Sequence, residues 1–468
     1  MRSSFGRLIR KCILHELNLV RIIIVGGCGT FGLSTAWHLS KRGYTNIICV
    51  DRWMFPSRSS AGFDRNKIVR TTYGDPLYVK LAEEAIQLWK QPIFKGIFHQ
   101  SGWVFGTSAP PMQGLDRDTS SNSISAAGAF DTMLHTHRLH GRTDQATPIP
   151  NSSTLVEKFP NFFSHAPGFR GIFDRNAGWV DAARALEVVG RLCQASGVRF
   201  VVGPKGTVKS LVRNQSGYGS NEVTGVLMED GSVFNADKIV MCVGAYTESL
   251  IDMEGQVTAV AYSTSHITLT PSELKRYQNM PVMMVEGLGY TFPPDQNGQI
   301  KICDLHIGHP WKQSVLGRPH PISVPRDAAY HEADTLPDED VSEIRRFLDY
   351  CMPQFSSRPL DKTAMCWDTE SFDYGWIISP HPSSPNTLFL ATAGSGHAFK
   401  NLPNLGKYVA DCLEGCLSPP LREAWRWRPD KVASTRPVDR VDLANLSGWQ
   451  HPSEYDYANS SFLIKPKL

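Results

Sequence analysis

Gly27, Gly29 and Gly32 follow an apolar run, Arg21 to Val25, in the pattern G-x-G-x-x-G. Asp51 closes a second apolar run, Ile47 to Val50. Those residue types at that spacing bind a dinucleotide. Gly27 allows a tight turn, Gly29 lets the backbone approach a pyrophosphate, and Gly32 lets helix and strand pack closely. Asp51 can accept hydrogen bonds from a ribose diol, which argues against a 2′-phosphate. Thr30 and Phe31 at the helix start, and Arg52 after the acid, are counted as further cofactor contacts. A glycine-rich turn alone is weak evidence; strand, helix, strand and terminal acid in order make it specific. The motif itself does not separate FAD from NAD.

A second chemical candidate lies in "TAMCWDTESFDYGWIISPHP", Thr363 to Pro382, where Cys366 stands beside Trp367. A thiol is nucleophilic as a thiolate, which needs an exposed, electropositive setting. A buried core cysteine is the commoner fate, and the residues alone leave both open. Lys301, in "QIKIC", has Ile300 and Ile302 on the opposite face of an alternating strand. Taken alone it reads as a solvated strand lysine.

These groups need elements to hold them. Leu33, Ala36, Trp37 and Leu39 give a helical period after the glycine loop, with Gly43 as its stop. "GWVDAARALEVVGRLCQASGVRFVVG" predicts a helix capped by Asp181, with Leu186, Val189, Leu192 and Cys193 on one face and Gly197 at its end. The strand Val198 to Val202 follows, and Val201 is a cofactor candidate on it. Another strand runs from Lys238 into Gly244. "TLFLATAGSGHAFKNLPNLGKYVADCLEG" reads as strand, glycine-rich loop, then helix from about Leu402 to Leu413. Dinucleotide-domain material thus recurs near residues 20, 200, 240 and 390. A NAD dehydrogenase usually holds its cofactor in one continuous block, so the interleaving favours FAD.

The expected class is α/β: a Rossmann-like FAD-binding domain interleaved with an α+β substrate domain on a mixed or antiparallel sheet. The cofactor domain is assigned residues 18–85, 165–250 and 365–420, and the substrate domain 86–164 and 251–364. Residues 1–17 and 421–468 are an extension and a tail. Within the substrate domain, strands are joined by a turn at Asp295–Gly298.

A length of 468 residues implies two or three domain-sized units. A net charge of +3 without a basic run argues against a nucleic-acid partner. The ten cysteines are scattered without a CxxC pair, so neither a metal site nor a disulfide framework is expected. No apolar run is long enough to span a membrane. The first twenty residues carry Arg2, Arg7, Arg10 and Lys11 with one acid, Glu16, and weakly resemble a transit peptide. The last three residues, Pro-Lys-Leu, are a near miss to a peroxisomal address. Peroxisome or cytoplasm is the expected location, and a monomer the expected state.

Four stretches together carry a resemblance: "VGGCGTFGLSTAWHLSKRGYTNI", "AGFDRNKIVRTTYGDP", "GQIKICDLH" and "CWDTESFDYGWIISPHP" with its "GSGHAFKNLPNLGKYV" continuation. Over roughly residues 20 to 430 the chain resembles the fructosyl amino acid oxidases (amadoriases) and, more distantly, the monomeric sarcosine and pipecolate oxidases. The fold implied is the two-domain flavoprotein of the D-amino-acid oxidase and glutathione reductase type. The resemblance implies a covalent link from Cys366 to the flavin 8α-methyl position. It places Lys301 over the flavin N5 edge, where a cation stabilises superoxide as oxygen accepts an electron. It places Lys67 near the other face, Asp64 at the pocket edge and His306 in the substrate pocket. Lys400 holds a substrate carboxylate or a flavin oxygen, and Gly394 and Gly396 allow the loop close to the ring. Loop N–H groups would stabilise negative charge at flavin N1.

Two departures bear on the substrate. His397 stands where amadoriases typically have an arginine, and is a weaker, pH-dependent anion ligand. Leu305 stands where they have an acid. Both make the pocket less polar and favour an apolar secondary amine over a glycated amino acid. The reading is an FAD-dependent oxidase that turns a secondary amine or N-substituted or cyclic amino acid into an imine, with oxygen reduced to hydrogen peroxide. A tailoring oxidase whose imine is trapped in ring closure and a flavin-binding protein without turnover are the alternatives.

Overall fold

The computed structural model describes residues 19–108, 135–136, 146–163, 166–214, 222–305, 307–315, 317–326, 331, 334–435 and 440–450. The two chain ends and His306 therefore lie outside the described residues. The β-branched run Ile22–Val25 forms a strand with no exposed side. It lies central in a six-stranded sheet ordered Ile377–Pro380, Leu388–Thr392, Lys238–Met241, Ile22–Val25, Ile47–Val50, Arg199–Val201. All neighbours run parallel except the edge strand Ile377–Pro380.

Alternation along these strands serves two cores. Ile22, Ile24, Ile47 and Cys49 pack with Leu33, Leu186 and Val409 of the helices Thr30–Lys41, Ala182–Ala195 and Leu405–Leu413. Ile23, Val25, Ile48 and Val50 pack with Val223, Val226 and Met228 of a small three-stranded sheet. Each such fully buried aliphatic side chain contributes about 1.5–3 kcal/mol. The helix Ala182–Ala195 is capped as expected, since the Asp181 carboxylate accepts the Arg184 N–H at 3.2 Å.

Two local details depart from the sequence reading. The left-handed turn residue is Gly26, at φ +71°, rather than Gly27, whose Cβ position lies against the Cys49 side chain. The helix expected from about Leu402 starts at Leu405, because Phe399–Asn401 form a short 3₁₀ turn first. Gly32 does what close packing requires: a Cβ there would sit 2.4 Å from the Gly26 carbonyl oxygen.

The second layer is an eight-stranded sheet ordered Lys362–Ser371, Val257–Thr268, Gln299–Asp304, Gly289–Thr291, Val282–Val285, Trp103–Thr107, Arg170–Asp174, Ala146–Ile149. It is antiparallel apart from the pairing of Val282–Val285 with Trp103–Thr107. Ile300 and Ile302 join a core with Ile344 and Phe347 of the helix Asp338–Cys351. The alternate positions, Lys301 and Cys303, are thereby turned to the opposite face. Register places Lys301 beside His266, and Cys366 beside Tyr262. No helix among the described residues is long and apolar enough to cross a membrane.

Candidate active site

The glycine loop opens at the C-terminal end of Ile22–Val25, where ligands bind in parallel sheets. The Asp51 carboxylate accepts the N–H groups of Cys28 at 3.1 Å and Trp53 at 3.2 Å and the Ser57 hydroxyl at 2.7 Å. Burial pushes its carboxyl up, against those bonds. Asp51 thus braces the loop itself. Thr30 and Phe31 open the helix behind the loop, and Gly29 faces the Ser60 hydroxyl. Arg52 lies with its guanidinium carbon 5.7 Å from the Tyr246 ring centre, and Val201 pairs with Val50.

The polar face of the large sheet supplies a charged cluster. Lys301 is 2% exposed, so it is no solvated strand lysine. Its ammonium donates to the Asp64 carboxylate and, at 3.3 Å, to the Asn66 carbonyl. Lys67 reaches the same Asp64 oxygen at 2.9 Å. Burial would raise the Asp64 carboxyl; the Lys301 and Lys67 charges override it and hold it well below the usual range. Burial also opposes the Lys67 charge, and Asp64 more than restores it. Asp64, expected only at the pocket edge, is the shared counter-ion of the cluster.

Cys366 is half-buried on the strand Lys362–Ser371, with Sγ 4.0 Å from the Lys67 ammonium. Burial pushes its thiol up and Lys67 pulls it back. The Asp64 and Asp368 carboxylates also push it up and Lys301 pulls it down, and the balance leaves the thiol above its ordinary range. Asp368 lies two residues on, so on the same face. Its carboxylate accepts the Gly396 N–H at 2.6 Å.

That bond changes the expected role of the "GSGHAFK" loop. Besides the Gly396 N–H, the Ser395 N–H goes to the Thr369 carbonyl at 2.9 Å and the His397 N–H to Gly394 at 3.0 Å. These three donors are engaged within the protein and do not point at a ligand charge. Ala393, Ser395 and Gly396 all have positive φ, which lays the loop tightly over Asp368. Gly394 packs where a Cβ would touch Ala398 at 3.3 Å and Phe31 at 3.5 Å.

His397 is buried between Tyr73, Tyr78 and Trp376, and one ring nitrogen meets the Tyr374 carbonyl at 2.9 Å. Burial, with Lys400 and Arg70 nearby, lowers its pKa to about 3. A neutral ring with that bond donates from Nε2 and leaves Nδ1 an acceptor. In this setting burial disfavours the charged ring that the sequence reading gave an anion-binding role. Lys400 donates to the His397 carbonyl at 2.7 Å and lies 5.2 Å from the Tyr73 ring centre. The Arg70 guanidinium lies 4.1 Å from the same ring. Among the described residues neither cation has a carboxylate ion pair, and burial, then Arg70, depresses the Lys400 pKa strongly. Arg70 and Tyr73 were missed in the sequence, although both lie in the quoted "KIVRTTYG" stretch. No spacing rule separates them from an ordinary strand end.

Several buried polar atoms here lack a partner among the described residues. They are Arg70 Nη2, Thr71 Oγ1, the Tyr73 hydroxyl, both His266 ring nitrogens, Thr369 Oγ1 and His397 Nδ1. Folded chains rarely leave so many unpaired in one region. A ligand rich in nitrogen and oxygen fits them, and a glycine-lined loop with Asp51 beside it fits the pyrophosphate and ribose of FAD. His306 lies outside the described residues, while Leu305 packs with the apolar cluster of Trp103, Phe105 and Trp179.

Comparison with known proteins agrees with this geometry. The model of the family described as FAD dependent oxidoreductase matches residues 21–412. The L-saccharopine oxidase of Schizosaccharomyces pombe is 32% identical over 432 residues, covering 88% of this chain and 94% of that protein. The monomeric sarcosine oxidase of an Arthrobacter species is 24% identical, covering 81% and 88% respectively. The structure of fructosyl peptide oxidase from E. terrenum superposes with a TM-score of 0.82 at 33% identity, covering 93% of this chain and 98% of that one.

Proposed function

The chain belongs to the FAD dependent oxidoreductases, and on that premise we propose that its substrate is a secondary-amine amino acid whose carboxylate lies between Arg70 and Lys400. It is an FAD-dependent amine oxidase acting on a C–N bond. The observation that carries the substrate reading is the pair of buried cations around Tyr73, Lys400 without a carboxylate beside it and Arg70 with only Asp174 further off. A carboxylate placed there accepts charge-assisted hydrogen bonds from both and keeps Lys400 protonated. The apolar wall containing Leu305 suits a substituent without sugar hydroxyls. Saccharopine and sarcosine, named in the relatives, are both secondary amines with a carboxylate.

FAD, when bound, accepts two electrons from the substrate carbon–nitrogen bond and returns them to oxygen. The protein's own groups do the rest. Arg70 and Lys400 orient the substrate, and neutral His397 offers Nδ1 as an acceptor in the same pocket. Asp64 holds Lys301 and Lys67 in place and keeps Lys67 charged. Burial of the cluster strengthens its field, because water does not screen it. The covalent link is proposed at Cys366, the thiol with an ammonium 4.0 Å away.

Two experiments test this. Peroxide release should be screened over sarcosine, pipecolate, saccharopine, fructosyl-valine and N-methyl-tyrosine; turnover of the sugar-bearing amine alone would sink the substrate reading. Cys366→Ala is expected to fold and bind FAD but to release all of it on acid precipitation. Wild-type protein that also releases all its flavin in acid would show that no thioether forms.

A further inference from the structure

The family match ends at residue 412, yet a residue well beyond it reaches the polar face of the large sheet. Arg440 is buried, 9% exposed at its side chain, and its guanidinium donates to the Glu370 carboxylate and, at 2.8 Å, to the Gly308 carbonyl. Glu370 is four residues beyond Cys366 on one strand, so both lie on the same face. The other Glu370 oxygen accepts the hydroxyl of Tyr262, the residue registered opposite Cys366. Gly308 follows the Lys301 strand and lies against the Tyr262 ring, with no room for a Cβ, which would sit 3.0 Å from that ring. One arginine therefore joins the Cys366 strand, its neighbouring tyrosine and the loop that follows Lys301.

The rest of the segment is fastened to the same loop. The Leu443 N–H donates to Pro310 at 2.9 Å, and the Lys312 N–H to Asp442 at 2.8 Å. His309 contacts two acceptors, the Val441 carbonyl through Nδ1 and Asp340 through Nε2, both at 3.1 Å. Donating to both at once takes a proton on each ring nitrogen. Burial works against that charge; Asp340, with Asp304 further off, restores it.

We propose that Arg440 is a positioning residue of the active site, holding Tyr262 beside the flavin attachment point and the Gly308 loop against the Tyr262 ring. This rests on the flavin site proposed above. A merely structural strap would bind Glu370 equally well, but would leave the flavin's surroundings unchanged when cut. With Arg440 present, Glu370 is neutralised and its two oxygens are committed. Without it, a buried carboxylate keeps one tyrosine hydroxyl and must draw in water or a proton. Glu370 is then held from one side only, and Tyr262 moves with it.

The test uses full-length holoenzyme of Arg440→Met, Arg440→Lys and the double variant Glu370→Gln with Arg440→Met. The double variant removes the buried charge, so it remains folded where the single one does not. Visible circular dichroism of the bound flavin, KM and kcat are measured well below each melting point. Arg440→Met or the double variant is expected to show an altered flavin band and a KM raised about tenfold, with kcat changed much less. Arg440→Lys should recover part of both. Wild-type flavin spectra and KM in every variant, with only the melting point lowered, would overturn the proposal. Wild-type protein without bound flavin would instead overturn the flavin site itself.

Discussion

Lys301→Met is expected to slow reoxidation by oxygen about a hundredfold or more, while anaerobic reduction by the amine changes little. The cluster holds two ammoniums and one carboxylate, Lys301, Lys67 and Asp64, for a net charge of +1. Methionine keeps the length of the side chain and leaves a neutral Lys67–Asp64 pair. A unit charge 4 Å from a developing negative charge is worth about 4 kcal/mol at an effective dielectric of about 20. Each ~1.4 kcal/mol is a factor of ten in rate, so about a thousandfold is the ceiling. Lys67 remains nearby, which brings the expectation down towards a hundredfold. The amine half-reaction builds no such anion beside Lys301. Stopped-flow absorbance separates the halves. Equal slowing of both would make Lys301 a substrate or flavin anchor instead; no change in either would leave it a structural partner of Asp64.

Asp64→Asn has the largest expected effect on stability. Its carboxylate is 12% exposed and serves two ammoniums at once. The amide leaves both uncompensated, and breaking a buried pair this way costs about 3–5 kcal/mol. With about 2 cal/mol/K of unfolding entropy per residue, the melting point of a 468-residue chain should drop by about 3–5 °C. The Asp64 carboxyl is held well below its unfolded value of about 4. Its contribution is thus full above pH 4 and is lost only as pH falls towards the folded value. The gap between wild type and variant should narrow below about pH 4. Adding Lys301→Met to Asp64→Asn removes one stranded charge and should recover part of the loss. A gap that stays constant down to pH 2, or a double variant less stable than Asp64→Asn alone, would show that the shared counter-ion is not what holds the cluster.

The frame was largely legible because its signals are local. Ile22–Val25, the glycines and Asp51 fall within some thirty residues, and alternation along "QIKIC" correctly set Lys301 against Ile300 and Ile302. What alternation could not tell was which face is wet. Lys301 is dry because a carboxylate from residue 64, on a different element, lies over it, and no local rule joins the two. The same limit hid Arg70 and Tyr73, whose importance comes from Lys400 and His397. The surroundings of His397 were hidden for a further reason. Arginine-to-histidine was weighed as one anion ligand for another, whereas burial among three aromatic rings, with Lys400 nearby, works against a charged imidazole. Asp368 was within reach of a sequence argument, since it shares a strand face with Cys366.

The strand order of the six-stranded sheet has a consequence for how the chain is made. Ile22 pairs with Lys238, 216 residues later, and the Lys238 strand pairs in turn with Leu388–Leu390. At about 5–20 residues per second, the first strand leaves the ribosome about 10–40 s before one of its neighbours exists. A parallel sheet of such distant partners closes late. The glycine loop, complete as sequence within the first tenth of the chain, has no rigid floor until most of the rest has been translated. FAD capture is then an event at the end of synthesis. Nascent chains arrested before residue 238 should leave the amides of Ile22–Val25 unprotected against hydrogen exchange, and protection already present at that length would mean that a shorter unit folds alone.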